Sequence, residues 1–116
     1  MRKINFAFSL FLLFFCVAST SAQSNYKIVN RIQIQGNGGW DYITMDESTS
    51  RLYISHGNEM NVFDISTNKL LGTIPDTRGV HGIALAKELN KGFISNGRDT
   101  SVTIIDLKLL KTIAKV

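Results

Sequence analysis

The chain carries a single cysteine, Cys16, in 116 residues, and that residue lies inside the one long apolar run, "INFAFSLFLLFFCVA". Beyond residue 22 there is no cysteine, which excludes thiolate zinc sites, cysteine nucleophiles and disulfide staples from that part of the chain. Lipid attachment at Cys16 would want a small residue before it, and Phe15 stands there. An excess of one charge is lacking too. Setting Arg2 and Lys3 aside from the 13 basic residues leaves 11 against 9 acidic ones, a net of +2, which gives little support to nucleic acid or an anionic membrane as main partner. Helical periodicity is missing outside the N-terminus, although "IALAKEL" read alone would pass for a short helix.

The N-terminus has its own logic. "MRK" supplies positive charge, the apolar run follows, and "STSA" ends at Ala22 with small residues. Together these predict a secretory signal, residues 1–22, cut before Gln23. The run is short for a membrane span and lacks a second anchoring flank, so export is expected over a retained anchor. The expected location is secreted or periplasmic, with no membrane span after signal removal.

What the remaining chain has is a repeat. "RLYISHG", Arg51 to Gly57, returns as "KGFISNG", Lys91 to Gly97. At an offset of forty, Gly39 meets Gly79, Ile43 meets Ile83, Met45 meets Leu85 and Tyr53 meets Phe93. After a two-residue insertion "NVFDI" matches "TIIDL", and "KLLGTI" matches "KTIAKV". A period of about forty residues is that of a propeller blade or a similar array unit.

Each unit reads as four short strands. In the first these are Tyr42 to Met45, Arg51 to Ser55, Asn61 to Ile65 and Lys69 to Ile74, rich in β-branched and aromatic residues and separated by turn clusters such as "DESTS", "HGNE" and "STN". The predicted class is all-β, with four-stranded antiparallel meanders as blades over residues 40–74 and 80–116. "LYISHG" and "GFISNG", each followed by an apolar strand ending in Asp and then by Lys plus an apolar strand, resemble the YVTN-repeat β-propellers, the YncE-like proteins. The resemblance covers residues 26–116. It implies a ring of about seven such blades, so residues 23–116 are expected to be the N-terminal part of a longer propeller. "YKIVNRIQI", residues 26–34, is then an outer strand that a closing blade borrows. The alternative is a short chain that completes its ring with copies of itself, for which self-association is expected.

The repeat also sorts structure from site. Asp64 and Asp106 recur at strand ends, where a carboxylate accepts turn N–H groups. Gly39, Gly79, Gly57 and Gly97 recur as positive-φ or close-approach positions, and Tyr53 and Phe93 as aromatic fill between neighbouring sheets. Ser55 and Ser95 recur without a base at both, which argues against a serine nucleophile. Asp46 and Glu47 are read as a hydrated turn. Residues that do not recur are the candidate ligand-binding set: Trp40, Asp41, Tyr42, His56, Arg78, His81, Asn96 and Arg98. The loops that hold them should fall on one end of the blades.

The expected role is an exported binding or interaction scaffold for a protein or small ligand, with no reaction implied and no cofactor required. One alternative is a metal- or redox-cofactor-binding propeller enzyme, with His56, His81 and Asp41 as candidate ligands because imidazole and carboxylate suit such ions. The other is single-stranded nucleic-acid binding, with Trp40 and Tyr42 stacking and Arg78 and Arg98 holding phosphates.

Overall fold

The computed structural model describes residues 26–116; the predicted signal segment and Cys16 lie outside the described residues. Residues 26–31 belong to one unit and residues 32–116 to another. In the first, the Asn30 side-chain oxygen accepts the Arg31 N–H at 2.8 Å. In the second, eight strands form two sheets. β1 (Trp40–Asp46), β2 (Arg51–His56), β3 (Glu59–Asp64) and β4 (Lys69–Ile74) make the first, and β5 (Val80–Ala86), β6 (Lys91–Asn96), β7 (Ser101–Asp106) and β8 (Lys111–Lys115) the second. Each is an antiparallel meander in sequence order. Among the described residues no helix is long and apolar enough to cross a membrane.

The repeat is reproduced in detail. β5 and β6 follow β1 and β2 at forty residues, whereas β7 and β8 follow β3 and β4 at forty-two. The two extra residues fall in one hairpin: residues 57–58 join β2 to β3, and residues 97–100 join β6 to β7. The irregularity between Trp40 and Ile43 returns between Val80 and Ile83, and that between Val62 and Phe63 returns between Ile104 and Ile105. "IALAKEL" divides between the end of β5 and a single 3-10 turn, Lys87–Leu89. Residues 26–34, expected as an outer strand, take no strand pairing. A strand is held by a neighbour's N–H and C=O groups, and the blade expected to supply that neighbour is not among the two sheets.

Turn chemistry follows the sequence reading at the strand ends. Asp64 accepts the N–H and hydroxyl of Ser66 at 2.8 and 2.6 Å, and Asp106 accepts the N–H groups of Lys108 and Leu109, both at 2.8 Å. These bonds hold both carboxyls below the usual aspartate range, led by Ser66 for Asp64 and by Leu109 for Asp106. Asp46 corrects the hydrated-turn reading. It is buried, bonded to Lys87 Nζ at 2.5 Å, the Ser48 hydroxyl at 2.7 Å and the Thr49 hydroxyl at 2.7 Å. Lys87, followed by Ser48, holds its carboxyl far below the ordinary value. Lys87 belongs to the other sheet's first turn, forty-one residues on, so no local pattern announces it.

The sheets pack opposite faces against each other. Side chains alternate along a strand, and directly paired residues share a face. In the first sheet one face carries Thr44, Tyr53, Ser55, Met60, Val62 and Ile74, the other Ile43, Ile54 and Phe63. The corresponding faces of the second sheet carry Ala84, Phe93, Ser95, Val102 and Ile104 on one side, and Ile83, Ile94, Thr103 and Ile105 on the other. We call these the aromatic and isoleucine faces. Tyr53, Met60, Val62 and Ile74 from the first sheet's aromatic face form one core with Val80, Ile83, Ile94, Ile105 and Leu107 from the second sheet. Phe93, expected as inter-sheet fill like Tyr53, is instead half-buried, because no sheet among the described residues covers its face. Ser55 donates to the His81 carbonyl, and Arg51 to the Leu107 carbonyl, across the same junction.

Candidate functional site

Pairing places the site. Trp40 stands opposite His56, and Val80 opposite Asn96, so the starts of β1 and β5 share an end with the β2–β3 and β6–β7 hairpins. Tight backbone links hold this end together: Gly57 N–H to Gly39 O at 2.8 Å, repeated as Gly97 N–H to Gly79 O at 2.8 Å. Gly79 also donates to the Asn58 side chain at 3.1 Å, which ties the first hairpin to the entry of β5. Gly57 and Gly79 have φ of 60° and 62°, the left-handed region that suits glycine. Gly97 is a close-approach position, since a Cβ there would press on the His81 ring. Gly39 is neither: its φ is not positive and an added Cβ would meet nothing within 4 Å.

A cleft of 450 Å³ opens at this end, lined by Trp40, Asp41, Val80, His81, Arg98 and the glycines 39, 57, 79 and 97. Four of the eight candidates therefore meet. Asp41 and His81 bridge the two sheets, Oδ2 to Nδ1 at 2.6 Å, with side chains 39% and 57% exposed; at that exposure the pair orients more than it stabilises. Trp40 stacks on His56 with ring centroids 3.9 Å apart and planes 4° from parallel. Trp40 as a residue stays 54% exposed.

The other candidates stand apart. His56 is buried beneath Trp40, with Gly36 against its ring edge, and its Nδ1 faces Glu59 at 3.6 Å without a hydrogen bond. Asn96, its counterpart, is also buried and donates to Ser101 and Thr103 at 3.0 and 2.8 Å. Both work inside the sheet. Tyr42 lies beside Gly82 in a neighbouring groove with Ile43, His81 and Phe93. Arg78 is exposed, and its carbonyl accepts the Arg98 N–H at 3.2 Å.

This arrangement limits the chemistry. An Asp–His pair becomes a base for nucleophilic catalysis when a hydroxyl or thiol stands at Nε2. Here the Gly97 backbone lies against that side of the ring, and the nearby Ser55 hydroxyl already donates to the His81 carbonyl. For metal binding, the structure joins Asp41 to His81 but turns His56 away. Among the described residues no group of three His, Cys, Asp or Glu side chains is placed to hold a metal ion.

The sequence reading missed the Trp40–His56 stack and the glycines that permit it. The signal was present in "GNGGW", where Gly36 and Gly38 have φ of 125° and 140° and a Cβ at Gly36 would fall 2.7 Å from His56 Cε1. No protein-family model matches the chain, and no curated protein matches it.

Proposed function

We infer that this chain is an exported pair of YVTN-type propeller blades that acts as a binding scaffold, and that its ligand seats in the cleft of Trp40, Asp41, His81 and Arg98. One observation carries the reading. Four of the side chains that differ between repeats, Trp40, Asp41, His81 and Arg98, converge on one cleft, whereas the recurring aspartates serve turns and Tyr53 the core. The chemistry suits a small planar anion. Trp40 has one ring face on His56 and exposed surface for a flat apolar group. Arg98, exposed at the rim, supplies planar N–H donors and positive charge for a carboxylate. The signal-like "MRK", apolar run and "STSA" support export.

Magnetic resonance tests this with benzoate and related aromatic carboxylates as probes, reading the indole N–H of the sole tryptophan, Trp40, and the His81 ring. Saturable shifts at Trp40, His81 and Arg98, weakened about tenfold by Arg98→Ala, are expected. Shifts confined to the separate groove between β4 and β8, around Leu71 and Leu110, or no saturable shift at all, would overturn the assignment.

A further inference from the structure

We propose that the aromatic face of the second sheet docks a second copy of this chain, receiving the isoleucine face of that copy's first sheet. The contact inside the chain supplies the template. It joins an aromatic face to an isoleucine face, two unlike surfaces, so it is heterologous, and among the described residues it leaves one face of each kind without a sheet against it. On the second sheet the unused surface comprises half-buried Phe93, Val102 and Ile104 with exposed Ala84 and Ser95. On the first it comprises Ile43, 67% exposed, with Met45, Leu52, Ile54 and Ile65.

The two free surfaces repeat the chemistry of the buried junction. At the same repeat positions Phe93 replaces Tyr53, Val102 replaces Met60 and Ile104 replaces Val62, while Ile43 and Ile54 correspond to Ile83 and Ile94. The polar ties translate as well. Ser55 to the His81 carbonyl becomes Ser95 to the Asp41 carbonyl of the second copy, and Arg51 to the Leu107 carbonyl becomes Lys91 to that of Ile65. Residues 32–35 border the outer end of the first sheet's isoleucine face, beside Asn61, Phe63 and Leu70, and Phe63, the counterpart of Ile105, is already buried there, so the contact between copies rests on Ile43, Met45, Leu52, Ile54 and Ile65. One tie is lost: the positions of Asp46 and Lys87 are held by Ala86 and Glu47. The contact between copies is therefore weaker than the one within the chain and dissociates on dilution.

The test expresses the full 116-residue chain, purifies it in the form the cell produces, and follows molar mass by light scattering across a concentration series. Mass rises with concentration. Phe93→Asp on one face and Ile43→Asp on the other each lower the association constant at least about tenfold. Mixed together, these two variants pair into a heterodimer and stop there, because each keeps the surface the other lost. Ser95→Arg and Met45→Lys, both at exposed positions, repeat the experiment should either first variant lose the Trp40 emission or circular dichroism of the parent. A monomer at every concentration, association untouched by either substitution, or loss through Phe93→Asp alone as in a like-with-like dimer would overturn the proposal.

Discussion

The two sheets share strand order, bulge positions and the aspartate turn after the third strand, yet the same repeat position is core in one and surface in the other. Tyr53 is 1% exposed and sits in the inter-sheet cluster, whereas Phe93 borders a surface groove. Ile83 is buried and Ile43 is not. Local sequence thus sets each sheet's geometry, and the neighbouring sheet decides which face that geometry buries. A blade's stability is accordingly a property of its contacts as much as of its own residues.

The strongest way to break the comparison is to truncate the two aromatics. Tyr53→Ala should cost about 3–5 kcal/mol, as removal of a fully buried aromatic does, while Phe93→Ala should cost about 1 kcal/mol or less. Urea unfolding, at a concentration where the chain is monomeric, measures both. Equal losses would mean that the Phe93 face is covered in solution even there.

Glycines sharpen it next. Gly79 combines φ of 62° with Arg98 Cγ at 2.6 Å from an added Cβ, while its counterpart Gly39 has open space. Gly79→Ala should destabilise by roughly 1–2 kcal/mol, and Gly39→Ala should lie within about 0.5 kcal/mol of the parent. The same urea midpoints decide it. These two glycines looked alike in sequence because a repeat reports position, whereas strain depends on what the chain meets there.

That distinction marks how far the sequence was legible. Strand-length apolar runs, the forty-residue period and the aspartates at strand ends predicted two meanders whose β4 begins and ends at Lys69 and Ile74 as observed. The shared end of the candidate residues was legible too, since hairpin connectivity alone brings Trp40 opposite His56. What a repeat cannot encode is which copy has a neighbour, so Phe93 read as core. Nor does it flag partners specific to one copy: Lys87 reaches Asp46, but the corresponding residues are Glu47 and Ala86. The inward turn of His56 was hidden for a related reason, depending on Gly36 and Gly38 outside either repeat match.

The Asp46 contact yields a pH signature for the first sheet alone. Its carboxyl is depressed by Lys87 and Ser48, so the stabilisation is full above the ordinary aspartate value of about 3.9 and disappears as pH falls from there toward the lowered native value. Asp46→Asn should remove that part of the acid loss and lower stability at neutral pH, leaving the remaining acid dependence to the turn carboxylates. Thermal unfolding between about pH 3 and 7 compares the two proteins, and the gap between their curves should begin to narrow below the ordinary aspartate value; parallel curves would show that the contact does not discriminate between Asp46 charge states.

The smallest effect tests whether one sheet can be made more like the other. Ser50 and Asn90 close equivalent turns with φ of 54° and 52°, and each carbonyl accepts an N–H after the third strand of its sheet, from Ile65 and Leu107 respectively, at 3.0 Å. Asn90 also donates its amide to Asp106 at 2.8 Å, a bond that serine is too short to copy toward Asp64. Ser50→Asn places a residue tolerant of the left-handed region there and supplies the missing donor, so it should stabilise by on the order of 0.5 kcal/mol through the backbone alone. Repeating the substitution in an Asp64→Ala background separates the two contributions: the backbone gain persists without its carboxylate, and the amide gain does not. A loss in both backgrounds would mean that the first turn is shaped by a constraint the second lacks, and the equivalence of the two sheets would end at their strands.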